Sequence, residues 1–340
     1  MLVLGLETSC DETAAAVISG PGENGVELLS SVVASQDDLH AHFGGIVPEV
    51  ASRRHIEMIV PVIKEALQRA RVGWEDLEGV ACTSGPGLIG SLVVGAAAAK
   101  AVARARGLPI AGIHHLEGHI YAGAVGEALT LPVLALVASG GHSHLVLVKD
   151  HGEYEVLART RDDAPGEVFE KGARLLGFGF PGVGGLADLA DSYQGPLEQM
   201  PRAKFLDSWD FSFSGVKTDL SRRVARAPLT DESRARLAAS YQEAIARTLV
   251  DRVMAVAEEL GGYPIVVVGG VARNRRLREL LTARAEAVGL PVRFPDPSLC
   301  TDNAAMIAAA GAYKLTLFGD DGEAVDVAAN LPLTDWGPSA

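Results

Sequence analysis

Two histidines, His115 and His119, stand four residues apart in the run His114-His115-Leu116-Glu117-Gly118-His119. On a helix that spacing puts both imidazoles on one face, where their neutral ring nitrogens suit a single zinc or ferrous ion. A pair of buried or surface histidines with no ion is the competing reading. Asp302, in Cys300-Thr301-Asp302-Asn303, shifts the balance toward a metal, because two histidines and one carboxylate leave coordination positions open for substrate oxygens. Asp302 can equally be the N-cap of a helix that starts at Asn303. Glu117 falls midway between the histidines, off their face, and the H-E-x-x-H pattern of zinc proteases is absent.

A second kind of chemistry is suggested by three glycine turns that follow apolar runs, at Gly85/Gly87, Gly140/Gly141 and Gly269/Gly270. Backbone N–H groups in such turns, and the helix N-termini behind them, suit a phosphate. The bland alternative is that they are connectors.

The elements that must carry these residues repeat. Residues 3–18 (VLGLETSCDETAAAVI) and 133–148 (VLALVASGGHSHLVLV) are each strand, polar turn with a serine (Ser9, Ser139), strand, the pattern of a β-hairpin. After each comes a strand, a glycine turn and a helix. These are Val80–Cys82 with a helix to about residue 106, and Ile265–Val268 with a helix from about 274 to 288. Short strands at Leu108–Ile110 and Leu290–Val292 follow, then helices starting near His114 and Asp302. Two such copies predict an α/β protein of duplicated domains with a cleft between them. The first domain is expected at 1–128 and the second at 129–340. The second carries an insertion at about 150–235, and a C-terminal helix at about 303–330 is free to pack back on the first. Asp302 and the histidines then meet across the cleft. The insertion holds Asp162-Asp163-Ala164-Pro165-Gly166-Glu167, the glycine-rich run 177–185 and Phe211-Ser212-Phe213-Ser214-Gly215-Val216-Lys217-Thr218, loop chemistry around short helices. A helix at 51–70 shows Ala51, Ile56, Ile59, Val60, Ile63 and Leu67 on one side, a face for the core or for a partner.

The totals narrow the class. The chain has 340 residues, 48% of them hydrophobic, enough for two cores. No apolar run has the length of a membrane span and the N-terminus shows no basic leader, so no membrane association is expected. Three dispersed cysteines without a C-x-x-C suit a reducing, cytoplasmic compartment. A net charge of −13 argues against a protein that grips nucleic acid unaided.

Together these segments resemble the TsaD family of tRNA N6-adenosine threonylcarbamoyltransferases, once called glycoproteases. The likeness runs in order through Glu7-Thr8-Ser9-Cys10-Asp11-Glu12-Thr13, His40-Ala41-His42-Phe43-Gly44-Gly45, the His114–His119 run, Ser139-Gly140-Gly141-His142, the Phe211–Thr218 run, Gly269–Asn274 and Cys300–Asn303. The resemblance implies the ribonuclease H-like fold of the sugar kinase, Hsp70 and actin (ASKHA) superfamily. It implies metal ligation by His115, His119 and Asp302. An adenylate would be lined by Val137, Ala138, Ser139, Gly140, Gly141, Glu170, Gly184, Asp188 and Asn274, and Asp11 and Glu12 would lie near the reacting groups, either one a candidate proton acceptor. The implied reaction moves threonylcarbamoyl from threonylcarbamoyl-AMP to N6 of adenosine 37 in tRNAs that read codons beginning with A. One Fe2+ or Zn2+ per subunit assists, and TsaB-like and TsaE-like partner proteins help to hold tRNA. The chain departs from the family in two places: Glu170 stands where the family has Asp, and Pro181-Gly182-Val183-Gly184-Gly185 carries one extra residue. A metallopeptidase, a small-molecule kinase of the same fold and a nucleotide-gated binding module are the rival functions. Only the first two are enzymes, and only the first needs the histidines.

Overall fold

The computed structural model describes residues 1–205 and 207–336. The chain divides into two compact units, residues 1–131 with 148–154 and 295–340, and residues 132–147 with 155–294.

The first unit is built on a five-stranded sheet. Its strands are β1 (Leu2–Glu7), β2 (Glu12–Gly22), β3 (Gly25–Ser35), β4 (Gly79–Gly85) and β5 (Ile110–His114), in the order β3-β2-β1-β4-β5. β1, β2 and β3 form an antiparallel meander, and β4 and β5 run parallel to β1. Its helices are α1 (Asp37–Ala41), α2 (Pro48–Ala70), α3 (Ile89–Arg106), α4 (His115–Ala122), and, from the C-terminal part of the chain, α10 (Pro297–Cys300) and α11 (Ala304–Leu317), which are numbered after the helices of the second unit. β1 and β4 are apolar and buried nearly throughout because helices cover both faces, as parallel sheet requires. Leu4, Leu6, Val80 and Cys82 join the core under α2 and α3, with Ile59, Ile63 and Ala99. The alternate face, with Gly5, lies against α11.

That second contact is unusually close. Six of the eleven buried positions of α11 are alanine and one is glycine. A Cβ added at Gly5 would stand 2.5 Å from the Ala304 carbonyl oxygen and 2.6 Å from the Ala308 nitrogen. One added at Gly118 on α4 would stand 2.6 Å from Ile307 Cδ1. Small residues on sheet and helix let the backbones approach until no side chain separates them, and this seats the N-terminus of α11.

The second unit repeats the plan. β6 (Val133–Ala138), β7 (Ser143–Asp150), β8 (Glu153–Arg159), β9 (Ile265–Val268) and β10 (Val292–Arg293) are ordered β10-β9-β6-β7-β8. β6 corresponds to β1, β7 to β2, β8 to β3, β9 to β4 and β10 to β5, so the duplication expected from the sequence is present strand for strand. Its helices are α5 (Pro165–Leu175), α6 (Val183–Ser192), α7 (Ser214–Arg226), α8 (Asp231–Glu259) and α9 (Arg275–Glu286).

The structure differs from the sequence reading in four ways. The third strand of each meander, β3 and β8, was not anticipated; both are edge strands whose half-exposed polar residues blur the apolar signal. On α2 the expected apolar side splits: Ile59, Ile63 and Leu67 are buried, whereas Ile56 and Val60 are exposed, because only the Ala51-Ile59-Val62-Ile63-Ala66 stripe meets the sheet. Residues 295–340 belong to the first unit, so Asp302 reaches the histidines from within that unit rather than from the other copy. The Gly85/Gly87 turn is closed by the chain itself: Gly87 N–H donates to the Ala329 carbonyl at 3.1 Å, and a Cβ at Gly85 would stand 2.2 Å from the Ala328 oxygen. Of the three glycine turns only Gly140/Gly141 has open space around both Cα atoms.

Candidate metal centre and adenylate-binding turn

α4 begins where β5 ends. His114 caps it, its ring accepting from Leu116 N–H at 3.1 Å, while Glu117 reaches back to accept from His114 N–H at 3.1 Å. This capping box consumes Glu117, which points away from the ligand face as its position predicts. Burial pushes the Glu117 carboxyl up to about 7. The same helix phase brings His115 and His119 together, ring centroids 4.7 Å apart and nearly perpendicular.

Asp302 completes the cluster. Its Oδ1 lies 3.3 Å from His119 Nε2 and 3.6 Å from His115 Nε2. Ligands bonded at 2.0–2.2 Å in tetrahedral geometry are separated by about 3.4 Å, so three donor atoms at these spacings can share one ion. His119 is fully buried and neither of its ring nitrogens has a hydrogen-bond partner among the described residues, which costs free energy; an ion at Nε2, the nitrogen that faces Asp302, would satisfy that atom. Asp302 is not the helix cap: Asn303 is, accepting from Met306 N–H at 3.0 Å while its amide donates to the Thr301 carbonyl at 2.7 Å. The Asp302 carboxylate is thereby left to face the histidines.

One residue of the cluster's surroundings was given no role in the sequence reading. Glu7, at the end of β1 and 1% exposed, lies with Oε2 3.2 Å from His115 Nδ1, and accepts from the Thr83 hydroxyl at 2.6 Å and from Ser9 N–H. The Ser9 hydroxyl is also 3.2 Å from His115 Nδ1. A carboxylate on the far nitrogen of a ligating histidine fixes its tautomer and raises its basicity. In the sequence it stood as the acid closing an apolar strand and the first residue of the Glu7–Thr13 run, with no role assigned. Burial opposes protonation of His115, but the Asp302 and Glu7 carboxylates outweigh it and push its pKa up to about 9. Burial likewise opposes ionisation of Glu7, and His115 outweighs it and holds the carboxyl below its ordinary value. Two anions around an imidazole pair make a cage for a cation.

Asp11 and Glu12 sit at the turn between β1 and β2. Bonds to its carbonyls anchor that turn: Leu88 N–H donates to Ser9 O at 2.8 Å, Gln36 N–H to Asp11 O at 3.1 Å, and the His55 side chain, through Nε2, to Cys10 O at 3.0 Å. Burial, then the nearby Asp302 and Asp11 charges, raise the Glu12 carboxyl well above its usual range. The turn and the His/His/Asp cluster thus share one electrostatic neighbourhood.

In the second unit the Val137–Ala138 strand end opens into the Ser139–Gly141 turn. Ser139 is buried, with its N–H bonded to the His142 carbonyl at 2.9 Å. Gly140 and Gly141 are exposed, and their N–H groups enter no hydrogen bond among the described residues. Glu170 on α5 accepts from Gly182 N–H at 2.9 Å, which ties α5 to the start of α6, where Gly184 and Asp188 are both exposed. Asn274 caps α9, accepting from Leu277 N–H at 3.0 Å, and donates to Gln242 Oε1 at 2.7 Å.

A duplicated α/β unit with the same strand order in both copies defines a class, the ASKHA-type fold. Solved structures agree with it: component A of (R)-2-hydroxyglutaryl-CoA dehydratase from Acidaminococcus fermentans superposes with a TM-score of 0.53 at 15% identity, covering 93% of this chain and 99% of that one. HypF from T. kodakarensis superposes with a TM-score of 0.61 at 14% identity, covering 93% of this chain and 48% of that one. Residues 27–309 match the family model described as TsaD, tRNA N6-adenosine threonylcarbamoyltransferase. Proteins of that name from Symbiobacterium thermophilum (50% identical, 92% of this chain and 91% of that protein) and Dehalococcoides mccartyi (46% identical, 98% and 100%) are similar over nearly the full length. The chain belongs to the TsaD family.

Proposed function

We infer that the chain transfers a threonylcarbamoyl group from threonylcarbamoyl-AMP to N6 of adenosine 37 in tRNA. The observation that carries this is the convergence of His115, His119 and Asp302 beside the Asp11–Glu12 turn, in a chain so similar along its length to enzymes of that name.

His115, His119 and Asp302 are proposed to hold one divalent ion, Fe2+ or Zn2+, both of which suit imidazole and carboxylate donors. When bound, such an ion supplies Lewis acidity toward substrate oxygens. The remaining work falls to the chain. The N6 amine is a poor nucleophile because its lone pair is delocalised into the adenine ring, so catalysis rests on positioning and on stabilising charge at the leaving phosphate and the carbonyl. The open Gly140 and Gly141 N–H groups suit that phosphate. Val137, Ala138, Ser139, Glu170, Gly184, Asp188 and Asn274 are proposed to line the rest of the adenylate, and Asp11 or Glu12 to accept the proton lost from N6. Under the metallopeptidase alternative, Glu117 could not serve as the general base, since it is spent in the capping box. No helix is long and apolar enough to cross a membrane; a cytoplasmic location, with TsaB-like and TsaE-like proteins assisting, fits a substrate that is tRNA.

The test is the nucleoside content of tRNA from cells depleted of this protein. Loss of threonylcarbamoyladenosine, restored by wild-type chain but not by His119→Ala, is expected. Undiminished levels in cells with no second copy of the gene would refute the assignment.

A further inference from the structure

The net charge of −13 is very unevenly divided. The second unit holds 20 of the chain's 30 lysines and arginines against 19 of its 43 acids, a net charge of +1, whereas the first unit has a net charge of −14. Part of the second unit's positive charge lines a groove of about 700 Å3 between α5 and α7. Lys171, Arg174 and Leu175 form one wall, and Lys217, Thr218, Ser221 and Arg222 the other.

The groove is held in shape by the two aspartates of the 160–164 loop. Asp162 accepts from Phe213 N–H at 2.8 Å and Ser214 N–H at 3.3 Å, so it fixes the start of α7. Asp163 takes Lys171 Nζ at 3.0 Å and also Lys217 Nζ, one from each wall. One carboxylate shared by two ammonium groups orients both. Glu167 lies 2.8 Å from Lys171 Nζ and Glu170 3.9 Å from Arg174 Nε, while the exposed Arg222 enters no ion pair among the described residues. The Phe211–Thr218 run, which has no part in the metal cluster or the adenylate turn, here acquires a role: it supplies Lys217 and Thr218 on a helix start set by Asp162.

We propose that this α5–α7 groove binds the phosphodiester backbone of the substrate tRNA next to the reacting nucleotide. The proposal rests on the transferase reading above. Cations on two walls, with hydroxyls beside them on one, are the kind of donor set that phosphate oxygens take in nucleic-acid complexes. Position favours the same ligand. The first turn of α5 touches the open turn of β6: Gly166 N–H donates to Ser139 O at 3.1 Å, and a Cβ at Gly166 would stand 2.8 Å from Gly140. At 1.5 Å per residue, the eight-residue rise from Gly166 to Arg174 is about 12 Å. A single RNA strand seated in the groove therefore keeps nucleotides within a few residues' reach of the Gly140–Gly141 turn.

The experiment uses the full chain with its partner proteins and a tRNA transcript. Arg174→Gln, Arg222→Gln, their combination and Arg222→Lys are compared with wild type for tRNA affinity against salt and for KM toward tRNA and toward threonylcarbamoyl-AMP. Each lost contact to a single strand lowers the salt slope of binding by about 0.7. The double variant is expected to lose about 1.4 of the slope and to raise KM for tRNA at least tenfold, with KM for the adenylate within about twofold of wild type and Arg222→Lys close to wild type. A slope and a tRNA KM unchanged in the double variant overturn the proposal, as does a loss confined to adenylate binding. Failure of the wild-type control to make the modified nucleoside would instead strike at the transferase reading itself.

Discussion

Replacing Gly5 by alanine tests whether the packing of α11 on the first sheet sets the proposed metal centre. The added Cβ would lie 2.5 Å from the Ala304 oxygen, 2.6 Å from the Ala308 nitrogen and 2.7 Å from the Ala308 Cβ, where ordinary contacts begin at 3.4 Å. The atoms in the way are mostly helix backbone, so no rotamer change relieves them, and the start of α11 must retreat by about 0.9 Å, the difference between 3.4 and 2.5 Å. Asp302 is two residues before that helix. Metal–ligand distances tolerate only about 0.2 Å, and the present 3.3 and 3.6 Å separations are already near ideal. The overpacking should cost about 1–3 kcal/mol of stability. Metal affinity should fall about 10–100-fold, the range found when a ligand's support is disturbed. Zinc affinity is measured by competition with a chromophoric chelator and stability by thermal unfolding of the metal-free protein. Gly140→Ala, which meets nothing within 4 Å, serves as the control. A Gly5→Ala protein that unfolds earlier yet binds zinc within twofold of wild type would refute the idea that helix approach sets the site. One that unfolds at the wild-type temperature would refute the packing argument.

Four further outcomes are expected. Asp302→Asn keeps the shape but removes the charge that faces both histidines; bound metal, assayed by elemental analysis, and tRNA modification should both drop at least tenfold, and full activity without metal would contradict the assignment. In the metal-free protein, the raised His115 pKa stabilises the fold fully below its unfolded value of about 6.5, and this contribution is lost as pH rises through about 9; the lowered Glu7 pKa contributes above about 4.5 and is lost as pH falls further. The stabilisation contributed by the His115–Glu7 pair, read as the difference in metal-free unfolding temperature between wild type and Glu7→Gln, should therefore be largest between about pH 4.5 and 6.5. Zinc binding near pH 7.5 should release about one proton, read by calorimetry in buffers of different ionisation enthalpy, with zero release counting against the caged imidazolium. Gly172→Ala would bring a Cβ to 2.2 Å from Tyr241 Cε1 on α8; it should destabilise the second unit by about 1–3 kcal/mol while zinc affinity stays at the wild-type value, and an equal loss of zinc binding would show that the packing of the second unit reaches the metal site.

The sequence by itself determined the local grammar: two strand–turn–strand repeats, each followed by strand–turn–helix units, and two histidines on one turn of a helix. These are set by hydrophobic periodicity and by helical pitch, which act over a few residues. The edge strands β3 and β8 escaped because a strand with one free edge and a half-exposed face carries little periodic signal. Ile56 and Val60 looked like core because periodicity finds an apolar face but not what covers it. Only the tertiary structure decided that Glu7 backs His115 across 108 residues of chain, that the C-terminal segment fills the Gly85 turn, and that Asp302 comes to the histidines on a helix of the same unit. Such contacts depend on how closely one backbone can approach another. That distance is fixed by small residues such as Gly5 and Gly118 meeting an alanine-rich helix nearly 200 residues or more away, a match that neither segment reveals alone.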